Sequence, residues 1–166
     1  MATEYLDEVN SLKDFDALFK LKCQKDSVLW SGFEKGPDEE SYREYVQKVL
    51  IDNPKNHLFL LKDTKTNEVM GYCQFNEEGD GVAEGRGSGL FKMYQGCGLA
   101  SVMDTLLVGK AREYGMKYLY SWCSDKNIAS MNALIDSGFT KTAIFEERYL
   151  KVFEESHLFY KWEIYL

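Results

Sequence analysis

The chain has 166 residues, 45% hydrophobic and 14% aromatic, a composition that builds one domain with a real core and excludes a disordered segment. Its net charge is −7, from 27 acidic and 20 basic residues, and no basic stripe marks a general nucleic-acid binder. The acidic excess reads first as ordinary solubility and second as compatibility with a cationic amine.

The N-terminal stretch is acidic and lacks the apolar core of a signal peptide, and no run approaches the ~20 apolar residues of a membrane span. Cys23, Cys73, Cys97 and Cys123 are widely spaced with no C-x-x-C pair. Three of them lie in or beside apolar segments, as reduced buried thiols do, so a cytoplasmic location is expected.

In chain order, residues 5–9 suit a short strand. Ser11 can cap a helix that carries Leu12, Phe15, Leu18 and Phe19 on one face. Residues 30–33 form an aromatic connection. Pro37 and the acidic trio Asp38, Glu39 and Glu40 open a second helix, whose apolar face holds Tyr42, Tyr45, Val46, Val49 and Leu50. The apolar runs 57–61 and 69–75 flank a polar loop at 63–67 and read as a hairpin. A turn at 77–81 leads into a strand over 82–92, weakened by Gly85, Gly87 and Gly89. Leu99, Val102, Met103, Leu106 and Leu107 then repeat at helical spacing, and Gly115 stops that helix. Residues 118–123 suit a strand. Asn127 caps a short helix with Ile128, Met131, Leu134 and Ile135 inward, and Gly138 closes it. Two aromatic-rich strands, 139–149 and 157–166, complete the order β-α-α-β-β-β-α-β-α-β-β. The fold class is α/β (α+β): a single domain with a mixed, mostly antiparallel sheet flanked by helices.

The most informative stretch is Tyr94-Gln95-Gly96-Cys97-Gly98-Leu99-Ala100, between the glycine-bearing strand and the long helix. Its two glycines let the backbone turn sharply and approach a ligand. A glycine-rich strand-to-helix turn leaves N–H groups unpaired where the helix dipole adds positive charge, which makes a phosphate site.

This junction resembles the GNAT superfamily of N-acetyltransferases. Members carry Arg or Gln, two variable residues, Gly, one variable residue, then Gly or Ala, matched here by Gln95, Gly98 and Ala100. Asn127, eleven residues before Gly138-Phe139, matches the family's spacing as well. The resemblance is firm from about residue 69 to residue 139. It implies acetyl-CoA as co-substrate, with no metal, and transfer of the acetyl group to a primary amine. The backbone N–H groups of Gln95, Gly96, Cys97, Gly98, Leu99 and Ala100 would hold the pyrophosphate. A Cβ at Gly98 would intrude on it. Leu90 would pair with the pantetheine arm and polarise the thioester carbonyl through its N–H. Asn127 would reach the pantetheine from the far side. A homodimer, with the aromatic C-terminal strands as its interface, is a possible assembly by the same analogy. No nucleic acid and no membrane are expected as partners.

Glu84, eleven residues before Gln95, is the candidate general base, because an attacking amine must be neutral. Its ordinary alternative is a solvated strand glutamate. Many relatives carry Tyr, as the acid for the departing thiolate, where this chain has Leu134. That departure favours the alternative function, a non-catalytic acyl-CoA-binding module. A nucleotide-binding α/β protein is a third reading, although the glycines at 85–89 lack a following Lys-Ser/Thr. Cys97 stands at a variable position of the loop and reads as spacer, while Cys123 reads as core. His57 and His157 show no metal-ligand spacing, and no nucleophile elbow is present for a Ser-His-Asp hydrolase. Trp30, Phe33 and Trp122 are candidates for walling an acceptor pocket, against the commoner core role. The acidic balance points to a polyamine, an amino-sugar drug or a basic peptide terminus.

Overall fold

The computed structural model describes residues 2–166. Its centre is a hairpin of two strands that read as apolar runs because both of their faces are covered. In β2 (Asn56–Asp63) Leu58 and Leu60 point to one side of the sheet, and Phe59 and Leu61 to the other. β3 (Val69–Gly79) pairs antiparallel with it, Cys73 opposite Phe59. The tight connection is organised by Asp63, whose carboxylate accepts from the N–H groups of Lys65 and Thr66 at 2.8 and 3.0 Å.

Eight strands form one sheet in the order β1-β2-β3-β4-β6-β8-β7, with β5 paired to β3. The others are β1 (Glu4–Glu8), β4 (Val82–Gly85), β5 (Gly89–Leu90), β6 (Tyr118–Ser124), β7 (Thr140–Leu150) and β8 (Glu155–Tyr165). Among the described residues only the β4–β6 pair is parallel. The helices are α1 (Phe15–Lys22), α2 (Lys25–Ser31), α3 (Glu39–Tyr45), α4 (Leu99–Glu113) and α5 (Ile128–Asp136). α4 buries Met103, Leu107, Val108 and Ala111 against one face of the sheet, with Leu134 of α5 in the same cluster. α1 and α3 cover the other face through Phe15, Leu18, Leu21 and Tyr42.

Several expectations are corrected. The aromatic connection is a helix: Trp30 lies in α2, which ends at Gly32 with φ 87°. α3 runs into a π turn, Val46–Ile51, closed by an Asp52 N–H to Gln47 carbonyl bond of i→i−5 spacing. Tyr42, Val46 and Leu50 are buried, whereas Tyr45 and Val49 are exposed. In α5, Ala133 and Leu134 are buried, whereas Ile128 and Ile135 face outward. Of the cysteines only Cys73 and Cys123 are buried; Cys23 is exposed. The strand expected over 82–92 breaks into β4 and β5. That break makes the site.

Candidate active site

β4 and β6 run side by side only from the Val82–Tyr118 pair to the Gly85–Ser121 pair. Residues 86–88 then leave the sheet. The Arg86 N–H donates to the Gln74 carbonyl at 3.1 Å, and the Gln74 side-chain amide donates to the Gly87 carbonyl at 3.2 Å. The chain rejoins β3 as β5, with Leu90 opposite Gly71, while β6 continues against β8 through Trp122, Cys123 and Ser124. The sheet is thereby opened between β5 and β6. Gly71 permits the return: a Cβ there would sit 2.5 Å from the Gly89 carbonyl oxygen and 2.7 Å from Leu90 Cδ2.

A cleft of about 350 Å³ passes through the opening. Strand alternation sorts its lining into two faces. Glu84, Trp122 and Ser124 point to the side of α2, where Trp30, Arg148 and Phe159 also line the cleft. Ser121 and Cys123 point to the side of α4 and α5, with Asp104, Leu107, Ser130 and Leu134. Trp30 and Trp122 therefore wall the cleft as expected. Phe33 does not; it is 68% exposed and belongs to a separate depression beside α3.

At the α4 end of the opening lies the glycine loop. Gly96 and Gly98 have φ of 77° and 85°, a left-handed conformation that disfavours any side chain. No protein atom lies within 4 Å of a Cβ built on either, so backbone conformation is what demands glycine. The N–H groups of Gly96, Cys97, Gly98, Leu99, Ala100 and Ser101 have no partner among the described residues. Gly96, Cys97 and Gly98 are exposed. The next N–H, that of Val102, begins the helical ladder on the Gly98 carbonyl at 3.3 Å. Six orphan donors at the positive end of a 15-residue helix fit a diphosphate.

Gln95 is corrected from the sequence reading. Its N–H donates to the Lys92 carbonyl at 3.1 Å and is not free. Its side-chain amide instead donates to Asp26 Oδ2 at 2.8 Å and to the Leu90 carbonyl at 3.0 Å, tying the loop to α2 and β5. Gln24 completes the tie, donating to the Leu90 carbonyl at 2.9 Å and accepting from the Lys92 N–H at 3.0 Å. Leu90 is 6% exposed. Because the Phe91 N–H donates to Met70 at 2.9 Å, the antiparallel alternation turns the Leu90 N–H away from β3, toward the gap.

Asn127 lines the cleft and also caps α5, its Oδ1 accepting from the Ser130 N–H at 3.3 Å. Glu84 lines the cleft too, with Arg86 Nε 2.8 Å from its Oε1. Cys97 is exposed, its thiol donating to the Tyr94 carbonyl at 3.1 Å. His57 lies on β2, outside the cleft, between Glu8 and Glu77, at 3.2 and 2.6 Å, as a structural link.

Asp104 escaped the sequence reading. It has no hydrogen-bond partner among the described residues, and burial pushes its carboxyl up to about 7. Its spacing gave a signal, since it breaks the apolar stripe of α4 beside Met103 and Leu107. Ser124 and His157 also escaped it. The Ser124 hydroxyl is 3.3 Å from His157 Nδ1, and His157 Nε2 is 2.8 Å from Glu155. Among the described residues no cluster of three His, Cys, Asp or Glu could hold a metal, and no helix is long and apolar enough to cross a membrane.

An opened sheet beside a helix start with free amides has the shape and the donors to suit an extended, diphosphate-bearing ligand. The acetyltransferase (GNAT) domain model matches residues 5–140, and the chain belongs to that family. It is accordingly an acetyl-CoA-dependent N-acetyltransferase. No curated protein matches the sequence significantly. Among solved structures, a spermidine N-acetyltransferase from Vibrio cholerae, in complex with CoA and spermine, superposes with TM-score 0.85. The two are 15% identical, over 98% of this chain and 95% of that one. An acetyltransferase of the GNAT family from Bacillus anthracis gives TM-score 0.79 at 19% identity, over 99% and 97% of the two chains. A putative acetyltransferase from Salmonella typhimurium with acetyl-CoA gives 0.75 at 18%, over 99% and 95%.

Proposed function

We propose that this enzyme acetylates a primary amine by direct transfer across the opened sheet, with the diphosphate of acetyl-CoA on the amides of residues 96–101. The single observation that carries the reading is that run of six unpartnered N–H groups at the edge of the β5–β6 gap. Acetyl-CoA supplies the activated acetyl group as a thioester. The α4 side of the cleft takes the pantetheine arm, with Asn127 beside it, and the α2 side takes the acceptor.

Each residue then has one task. Leu90, whose carbonyl is held by Gln24 and Gln95, donates its N–H to the thioester oxygen as negative charge grows there. Glu84, which meets Arg86 through Oε1, takes a proton from the acceptor nitrogen as the C–N bond forms. Asp104, on the far side of the gap, is protonated up to about pH 7 and gives its proton to sulfur as the C–S bond breaks. It fills the place left by Leu134, which lines the same cleft without an ionisable group.

The acceptor end holds Glu84, Arg86, Arg148 and two tryptophans, so the net charge of −7 is not concentrated there. Both arginines there are paired, Arg86 with Glu84 and Arg148 with Glu146, so that end is close to neutral, and the two tryptophans favour an amine carried on a compact body that packs on Trp30 and Trp122. The complex of the Vibrio cholerae protein with spermine supports an amine acceptor in general.

Incubation with acetyl-CoA and an amine panel, followed by thiol release, tests the reading. Turnover is expected with wild type, and a fall of about 100-fold in Glu84→Gln with unchanged CoA affinity. Binding of CoA without turnover on any amine would leave an acyl-CoA-binding module. Thermal stabilisation by ATP and not by CoA would leave a nucleotide-binding protein.

A further inference from the structure

Acetylation strips two protons from an alkylammonium nitrogen, one before attack and one during it. Glu84 accounts for the second. On the same face of the cleft a chain of three polar groups runs from the acceptor end to bulk water. Ser124 lines the cleft and is 1% exposed, His157 is 4% exposed, and the Glu155 side chain is 61% exposed. Their separations are 3.3 Å and 2.8 Å.

The polarity of this chain follows from its ends. A carboxylate can only accept, so His157 Nε2 carries the proton that bonds Glu155. In the Nε2–H tautomer Nδ1 is the acceptor, and the Ser124 hydroxyl donates to it. The Lys126 N–H donates to the same hydroxyl at 3.2 Å, which fixes its direction and leaves one lone pair toward the cleft. The imidazole packs against the Trp30 ring, at 5.9 Å, and the Phe153 ring, at 4.7 Å, which also touch each other at 5.1 Å. Arg148 on β7, the register partner of His157, is paired with Glu146 and lies over Phe159. The arrangement has the logic of a nucleophile, a base and an orienting acid. Here no covalent product is needed.

We propose that Ser124, His157 and Glu155 form the relay that converts the acceptor ammonium into the free amine before acetyl transfer. The proposal rests on the function proposed above. One N–H bond of the ammonium breaks, and its proton goes to Ser124 Oγ while the hydroxyl's own proton passes to Nδ1. The imidazolium is stabilised by Glu155 and returns its proton to water as product leaves. Ser124 is the group that touches the acceptor; His157 and Glu155 act through it.

The test compares two acceptors at pH 7, an alkylamine that is protonated there and an aniline-type amine already neutral. Ser124→Ala, Glu155→Gln and His157→Gln are expected to slow the alkylamine by about 10- to 100-fold. Glu155→Gln and His157→Gln, which do not touch the acceptor, leave the neutral amine within about twofold, because it has no ammonium proton to lose. The alkylamine defect closes toward pH 10, and CoA affinity is unchanged. In the resting protein, 15N spectra are expected to show His157 as the Nε2–H tautomer, with Nδ1 shifted in Ser124→Ala. Equal losses on both amines, or an Nδ1–H tautomer, overturn the relay while leaving the enzyme intact. A wild type that acetylates neither amine overturns the proposed function, and the relay with it. Should His157→Gln fail to fold, the two smaller changes decide the matter.

Discussion

Asp104→Asn changes one atom, and its consequence for stability is set by pH. The folded carboxyl is pushed from 3.8 up to about 7 by burial alone. Below pH 4 both folded and unfolded chains carry it protonated, so there is no penalty. Between 4 and 7 only the unfolded chain ionises, and stability falls with rising pH; above 7 the penalty is complete. At 1.36 kcal/mol per pH unit, a shift of about 3 units amounts to ~4 kcal/mol. The side chain keeps partial contact with solvent, so about half of that, ~2 kcal/mol, is expected. The amide cannot ionise and escapes the penalty. Urea unfolding of both proteins from pH 4 to pH 9 should therefore show nearly equal stability at pH 4. The variant should then gain until a plateau of ~2 kcal/mol above pH 8, or roughly 4–8 °C in Tm for a chain of this size. A difference independent of pH, or a wild type that gains on ionisation, would refute the assignment of a partnerless carboxyl to the cleft.

Gly98→Ala places a side chain at φ 85°, with no atom nearby to clash, so the cost is backbone strain of ~1–2 kcal/mol. Relief by a backbone rotation would turn the loop amides, and CoA affinity by calorimetry should drop about tenfold or more. Gly71→Ala puts Cβ 2.5 Å from the Gly89 carbonyl and displaces β5 at a cost of ~1–3 kcal/mol. Because it moves Leu90 and not the glycine loop, kcat should fall more than CoA affinity.

How much was legible in the sequence follows what each signal encodes. The runs in β2 and β3, the acidic start of α3, the Asn127 cap and the glycine loop are local patterns, and the fold carries them. The opening in the sheet was not local. It depends on Gly71 meeting Leu90 and on Gln74 bonding the segment after Gly85, contacts between residues far apart in the chain. Regular periodicity also misjudged α3, since a π turn changes which side chains point inward. Gln95 was assigned by its place in a motif, whereas its amide is committed to Asp26 and Leu90. Asp104 showed only as a break in the apolar stripe of α4, and the Ser124–His157 contact joins two strands that only the register brings together.

The central claim is that the free amides of residues 96–101 hold the diphosphate of CoA. Titration of 15N-labelled protein with CoA, and separately with pantetheine, tests it most directly. CoA is expected to move the amide signals of those six residues strongly downfield, and pantetheine, which lacks the diphosphate, to leave them in place. CoA binding that leaves the six signals unmoved would contradict the account.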